Sequence, residues 1–593
     1  MSDMGGPVTN ASAAPEVASV DQVAPPEVSG ESSGWRRREV VATLVAGAVL
    51  HFMVRVWISL PRTGPVVIAD EIGYLLNARF ISGGAAGDLA TTTFYRGGYS
   101  LLIAPLFLLD MGPVRLYISI LALNAAVAAA IFPLMYVLLG KLFTLSTRAR
   151  LAAAFASACT PSLMVSGGFA TSDAVLPTLV VALVALLLHV CTRPPLVRAS
   201  VPALVMFAAV AALAWTTHAR GQLVVMAVVV VVLGRRFFGV GSRMRLHLTI
   251  TVALTGVLVL AGTSLNRDLA STLYSRSGSD LPPVSEILDA DALVTIGAGS
   301  GQIWSLLVTT GGLAMVGLVV LWLRGRDLLG SHSLGAAMTL AILGIVGASA
   351  LGFGDVTAES YSIYSRYVDM FAPLLVGIGC AGVAARHVGW KLWCGVALAI
   401  PVLALGPAVL DPLRSDMGDS RPFSVPIVAV MSGVAPSADG LLVDTSLLLP
   451  TICAVVFVCV VGILTLKNPG SWRSLVFAPL AGTAMLIGGV AYVVVGYTLD
   501  DAFYPNGTSI ASYPEVRDAT VVVWDAAPAS NSTLRFVFEY STGRELVQFD
   551  SSRAEPPRGD VLITSAQYEP PEGWILVGPV PETGTMLVYR WSG

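Results

Sequence analysis

Apolar runs alternate with short polar loops along most of this chain, and each is close to the ~20 residues that cross ~30 Å of hydrocarbon. The runs fall at 39–60, 114–140, 150–167, 173–190, 201–217, 221–234, 248–264, 303–323, 333–352, 368–386, 389–410, 446–466 and 474–497. They predict a polytopic α-helical membrane protein with about 13 transmembrane helices. The loop at 61–113 is long for a link between two spans, and long loops in compact proteins are commonly functional. Within it, apolar residues at 72, 75, 76 and 80 of Asp70-Glu71-Ile72-Gly73-Tyr74-Leu75-Leu76-Asn77-Ala78-Arg79-Phe80 predict a helix lying along the membrane surface. Leu101 to Leu109, interrupted by Pro105, is too short to span and predicts a second helix at the interface.

The ends of the chain differ in kind. Residues 1–34 are rich in Pro, Ser, Gly, Ala and Glu without an apolar period, so they are expected to be a disordered cytoplasmic tail. The transmembrane domain is expected over 35–497, with a first span retained as an anchor behind Arg36 to Arg38. Beyond it, short β-rich runs at Thr520–Trp524, Leu534–Tyr540, Val561–Thr564, Ile575–Val577 and Met586–Tyr589 are separated by turn residues. Residues 498–593 are therefore expected to form a small α/β or β-rich C-terminal domain.

Charge then sets the orientation. Only 12% of residues are charged and 55% are hydrophobic. Arg36, Arg37, Arg38, Lys141, Arg148, Arg150, Arg193, Arg198, Arg235, Arg236, Arg243, Arg245, Arg324, Arg326, Arg386, Lys391, Lys467 and Arg473 gather in alternate short loops. Translocating Lys and Arg is disfavoured, so these loops and the N terminus are expected on the cytoplasmic side of a plasma membrane. The first long loop and the C-terminal domain are then extracytoplasmic. A net charge of −3 without a basic patch gives no reason to expect nucleic acid. Lys141, Lys391 and Lys467 are the only lysines among 35 basic residues, which with the Ala, Gly and Val content suggests a high-GC bacterial genome. The cysteines lie in or at the ends of spans without a CxxC or Cys/His cluster, so neither a disulfide framework nor a zinc site is expected.

In so uncharged a chain, each acid or Arg on the expected outer side needs a reason. Asp70 and Glu71 begin the first surface helix, where the dipole favours carboxylates, so they either cap it or do chemistry. Phe94-Tyr95-Arg96-Gly97-Gly98-Tyr99 places Arg96 at headgroup depth, as an ordinary interfacial Arg or as a bidentate partner of a lipid phosphate. Asp173, which follows Thr171-Ser172 at the start of the fourth span, either caps that helix or serves a site, since an acid against an apolar helix must be paired or solvated. Arg220 falls with His218 and Gln222 in the outer turn after the fifth span, either solvated or holding phosphate. Arg366 and Tyr367 stand at the outer start of the tenth. His51 and Arg55 share one face of the first span, and snorkelling of Arg55 to the headgroups accounts for it.

An acidic pair just beyond the first span, an aromatic-Arg-Gly segment leading into a Pro-containing apolar helix, and about a dozen further spans resemble the GT-C glycosyltransferases. The likeness is to protein O-mannosyltransferases and lipid A aminoarabinose transferases, and is most specific over 66–110. It implies transfer of a sugar from a polyprenyl-phosphate donor to a protein, lipid or cell-wall glycan acceptor on the extracytoplasmic side. By resemblance, Asp70 is the catalytic base, Glu71 the second acid, Asp173 an acid that recurs in a similar place, and Arg96 the basic residue on the donor phosphate. Where the aminoarabinose enzymes carry an acid and a Lys, this chain has Tyr95 and Arg96, so the acid's role has no owner. Arg366 and Tyr367, with Pro373 beyond them, are similar to an Arg-Tyr pair followed by Pro in many GT-C chains.

The chemistry fits the resemblance. A hydroxyl acceptor needs a carboxylate to take its proton, which contributes roughly 10²–10⁴-fold. The leaving phosphate needs fixed cations. No cofactor is expected and no ligand set for a metal is visible, although some GT-C enzymes use a divalent cation and a metal stays open. No Trp-Trp-Asp type motif of the oligosaccharyltransferases occurs in the C-terminal domain. A transporter or lipid flippase, the alternative, would place polar residues and broken helices at mid-depth, whereas these spans are almost purely apolar. A scaffold binding cell-wall polymer would leave the acids and arginines of separate loops without a common purpose.

Overall fold

The computed structural model describes residues 36–62, 64–65, 68–87, 89, 93–109, 111–192, 201–237, 241–274, 291–352, 365–410, 442–467, parts of 478–489, 513–525, 546–549, 551–552, 555–580 and 586–592. The helical part opens with α1 (Arg37–Ser59), followed in the first loop by α2 (Ile68–Ile81) and α3 (Gly97–Phe107). Then come α4 (Pro113–Ala129), α5 (Ile131–Leu142), α6 (Thr147–Ala158), α7 (Pro161–Ser166), α8 (Leu176–Thr192), α9 (Val201–Thr217), α10 (Ala219–Phe237) and α11 (Ser242–Leu273). The series ends with α12 (Ala292–Thr309), α13 (Leu313–Leu329), α14 (Ser333–Gly352), α15 (Ala372–Ala384), α16 (Trp390–Leu410) and α17 (Leu442–Lys467). Among the described residues, 6 helical stretches are long and apolar enough to cross a membrane, and the chain is a polytopic membrane protein.

Local chemistry explains where these helices start and bend. Ser146 caps α6 by accepting from Ala149 N at 3.3 Å, and Asp291 caps α12 by accepting from Leu293 N at 2.7 Å. The run expected at 114–140 bends between α4 and α5 just before Pro133, which lacks the N–H that would continue the ladder. The run expected at 248–264 is the middle of α11, a helix of 32 residues. Asn266, Arg267 and Asp268 hide its last turns from a hydropathy pattern.

Two runs read as single spans are broken helices. Residues 303–323 straddle α12 and α13, which part where Gly311 and Gly312 take φ of 56° and 75°, a region open chiefly to glycine. Thr310 Oγ1 donates to Leu306 O at 2.7 Å and accepts from Ala314 N at 3.3 Å, so the freed backbone groups are satisfied within the break. Apolar side chains close it: Phe457 lies on Gly311, and Val396 and Val458 on Gly312.

Residues 150–167 likewise divide into α6 and α7 at Thr160-Pro161. The break explains why Arg55 does not snorkel. Its side chain is buried and donates from Nη2 to Ala158 O at 2.8 Å and from Nη1 to Leu163 O at 2.5 Å. The Ala158 carbonyl at the end of α6 has no backbone donor among the described residues, and the cation is drawn inward to supply one, while Leu163 O also accepts from Gly167 N at 3.3 Å. His51, also buried, packs against Phe132 and Phe155.

Toward the C terminus, α18 (Pro514–Asp518) precedes β1 (Val522–Asp525), β2 (Leu546–Phe549), β3 (Val561–Ser565), β4 (Trp574–Pro579) and β5 (Met586–Trp591). They form one sheet in the order β2-β1-β3-β5-β4, with β1 parallel to both β2 and β3 and the remaining pairs antiparallel. Val522, Trp524, Ile563, Met586 and Val588 pack with Val516 of α18 as its core. β2 was not marked by the β-rich runs, and the run Leu534–Tyr540 lies outside the described residues.

Arg55→Met would leave the Ala158 carbonyl buried without its donor, at about 1–3 kcal/mol, and leave Leu163 O only its Gly167 N donor. The unfolding midpoint in detergent should fall for this variant and stay unchanged for Arg38→Gln on the exposed flank of α1; an unshifted midpoint for Arg55→Met would refute the role.

Candidate active site

The apolar face of α2 fixes what its two acids can reach. Ile72, Leu75 and Leu76 are fully buried, and Glu71 points in with them. Glu71 accepts a short hydrogen bond from the Tyr117 hydroxyl and another from Ala170 N at 2.7 Å, fastening α2 to α4 and to the segment before α8. Buried so, Glu71 does not face the arginines that meet its neighbour. Asp70 is about one-quarter exposed. Its Oδ1 accepts from the Tyr95 hydroxyl at 3.0 Å, and its Oδ2 pairs with Arg366 Nη2 at 2.6 Å.

Tyr95 can reach Asp70 because nothing stands between them. A Cβ on Gly73, a turn beyond Asp70, would lie 2.1 Å from the Tyr95 ring. Asn77 holds the loop from below, donating from Nδ2 to Tyr95 O at 2.8 Å, and itself accepts from the Tyr274 hydroxyl at 3.1 Å.

Arg366 lies in a 3-10 turn, Ser365–Tyr367, and bridges two acids from distant parts of the chain. Besides Asp70, its Nε donates to Asp173 Oδ2 in a short contact. Asp173 occupies the turn Ser172–Ala174 before α8, and its Oδ1 pairs with Arg220 Nη2 at 2.5 Å. Arg220 also donates from Nη1 to Arg366 O at 2.9 Å and from Nε to His218 Nδ1 at 3.3 Å, and its guanidinium lies 5.0 Å from the Tyr367 ring centroid. With its side chain only 6% exposed, Arg220 is a strut between these groups more than an open anion ligand.

Arg96 joins from the start of α3. Gly97 N donates to Asn266 Oδ1 at 2.7 Å, and a Cβ on Gly98 would come within 2.5 Å of Thr217 N, so α3 meets the end of α9 backbone to backbone. With its amide oxygen turned toward Arg96, Gln222 in the first turn of α10 accepts from Arg96 Nη1 at 2.8 Å. Arg96 is close enough to His218 for its charge to act on the imidazole.

The electrostatics follow. Burial alone would raise the Asp173 carboxyl, but the Arg220 and Arg366 charges outweigh burial and hold it well below the usual carboxylate range. Burial, then the Asp70 charge, pushes the Tyr95 phenol up, so it stays a donor. Burial and the neighbouring arginines hold the His218 imidazole well below its ordinary value, so it is neutral at pH 7. Among the described residues, three arginines and two carboxylates gather here. Among the described residues no three His, Cys, Asp or Glu side chains gather as metal ligands.

Of the residues picked from sequence, Asp70, Tyr95, Arg96, Asp173, Arg220, Arg366 and Tyr367 come together at one end of the bundle, and Glu71 is set apart beneath them. Of the supporting residues, Gln222 stood beside Arg220 in the sequence, whereas Asn77 and Asn266 carried no signal. His218 did carry one, since a polar residue directly before a helix start is a cap position.

No protein-family model and no curated protein matches the chain. Among solved structures, it is similar to ArnT from Cupriavidus metallidurans in the apo state, a GT-C glycosyltransferase, with a TM-score of 0.51 and 13% identity over 93% of this chain and 97% of that one. The chain has the GT-C fold. ArnT from the same organism bound to undecaprenyl phosphate aligns over 93% of this chain and 98% of its own at 15% identity and a TM-score of 0.49. The Archaeoglobus fulgidus oligosaccharyltransferase in the apo form aligns over 88% of this chain and 66% of its own at 13% identity and a TM-score of 0.42. At such identities the fold is what is shared, and in a GT-C fold this charged cluster has to be argued from its own geometry.

Removing Asp173 leaves two arginines without their shared partner. Asp173→Asn should lower stability by about 3–5 kcal/mol at neutral pH, as for other broken buried pairs. Because the folded carboxyl lies below its unfolded value near ~4, this contribution is complete above that pH and fades as the pH falls further. Unfolding midpoints of wild type and variant should therefore differ fully from pH 8 to 5, and the gap should begin to narrow below 4; a gap undiminished at pH 3 would exclude the pairing as its source.

Proposed function

We propose that this protein is an integral-membrane glycosyltransferase that moves a sugar from a polyprenyl-phosphate donor to a hydroxyl acceptor on the extracytoplasmic side. The observation that carries the reading is the Arg366 guanidinium, which bridges Asp70 and Asp173 beside Arg96. A carboxylate base and cations for a leaving phosphate thus stand together, and the GT-C fold supports that use of them.

Asp70 takes the acceptor's hydroxyl proton as the acceptor oxygen bonds to the sugar's anomeric carbon. The bond from that carbon to the phosphate oxygen breaks, and the polyprenyl phosphate leaves with the electron pair. Arg366 and Arg96, both partly exposed, stabilise the charge on the phosphate without reorganising. Tyr95 holds one oxygen of Asp70 and so orients the base. Asp173 and Arg220 hold Arg366 from behind, with Tyr367 against Arg220. Glu71 sets the position of α2 from below.

The same reading places thirteen crossings over 35–497, a cytoplasmic tail at 1–34 and the domain at 498–593 outside a plasma membrane, with a protein, lipid or cell-wall glycan as acceptor. Passage of a substrate through the bundle is disfavoured, since the break at Gly311-Gly312 is packed with Phe457, Val396 and Val458.

The decisive assay uses purified protein in detergent, a panel of radiolabelled polyprenyl-phosphate sugars and native membrane acceptors. Asp70→Asn should lose transfer by 10²-fold or more, within the ~10²–10⁴ of a general base, while still binding donor. Transfer that survives the substitution would remove Asp70 from the role, and folded wild type that neither binds nor turns over any donor would remove the function.

A further inference from the structure

His218 links α9 to α10, the one residue between Thr217 and Ala219 that belongs to neither helix. Its Nδ1 accepts from Arg220 N at 3.2 Å and from Arg220 Nε at 3.3 Å. The imidazole thus caps α10 as an Asn side chain would, and the same atom braces the Arg220 guanidinium. An imidazole nitrogen that accepts hydrogen bonds carries no proton, so the single proton of the neutral ring is on Nε2. A second proton would have to displace both Arg220 contacts and would add a cation beside Arg96, Arg220 and Arg366.

The Nε2–H has no hydrogen-bond partner among the described residues, and the ring is half-buried among the site's charges. Open to solvent rather than buried, and beside three arginines, this donor is placed to meet an acceptor that arrives with the substrate.

We infer that His218 donates its Nε2–H to an oxygen of the donor's phosphate, alongside Arg96 and Arg366. The inference rests on the polyprenyl-phosphate reading above and adds a phosphate ligand to it. A neutral donor completes the surroundings of the phosphate without adding a further cation to the three arginines. Pinned through Nδ1, it needs no reorganisation as charge develops.

The probe is undecaprenyl phosphate binding to the full-length protein in detergent. His218→Asn retains a capping oxygen in place of Nδ1 and deletes the Nε2–H, so its unfolding midpoint should stay close to wild type while lipid affinity falls about tenfold, as for one hydrogen bond to a charged group. In ¹⁵N-histidine-labelled wild type, His218 should appear as the Nε2–H tautomer, and its Nε2 resonance should shift on addition of the lipid. An Nδ1–H tautomer, an unmoved Nε2 resonance or wild-type affinity in His218→Asn would overturn the inference; if Arg366→Gln still abolished binding, the phosphate site would survive without His218. Should wild type itself fail to bind undecaprenyl phosphate, the donor reading falls, an outcome distinct from loss in the variant alone. If His218→Asn folds poorly, the labelled wild type decides.

Discussion

The shared guanidinium of Arg366 is the contact on which the rest of the site depends. Two carboxylates near each other repel unless a cation stands between them. By giving Nη2 to Asp70 and Nε to Asp173, Arg366 joins the two acids and fixes the distance between the first loop and the turn before α8. Arg220 then closes the arrangement by holding Asp173 and the Arg366 carbonyl at once. The planar fork of Arg is suited to this, because its donors are fixed relative to one another where a Lys would offer a point charge.

The same rule, that buried polar groups must be satisfied, shapes the helices away from the site. Arg55 serves two carbonyls where α6 gives way to α7, and the Thr310 hydroxyl serves both strands of the break between α12 and α13. Each break in the helical ladder has a specific side chain to compensate it, as hydrocarbon surroundings demand. The two breaks differ in what fills them. The first takes a cation, while the second is sealed by Phe457, Val396 and Val458 and remains apolar.

Periodicity made α2 and α3 legible, because their apolar positions repeat at helical spacing over lengths too short to span a membrane. It merged α12 with α13, since Gly311 and Gly312 are apolar enough to pass for span interior and their positive φ has no hydropathy signature. Arg55 was misjudged for a related reason: its carbonyl partners lie over a hundred positions away, and the Ala158 carbonyl is open to it because a helix ends just before Pro161. Residue type and expected side of the membrane left Asp70, Arg96 and Asp173 between a structural and a functional role, and the resemblance to an Arg-Tyr pair raised Arg366. They could not reveal that one Arg serves two acids, a contact spanning 193 positions to Asp173. Nor could they separate Asp70 from Glu71, whose fates diverge because successive helical residues point about 100° apart.

The length of α11 has a consequence of its own. At 32 residues it extends ~48 Å, well beyond the ~30 Å of a hydrocarbon core. Near its far end Asn266 holds the start of α3, and Leu273 O accepts from Leu89 N at 2.8 Å, so the first loop hangs from this helix. The position of the charged cluster along the bundle is therefore set by protein contacts. α11 acts as a built-in ruler, which fixes how far along the bundle Asp70 meets Arg366.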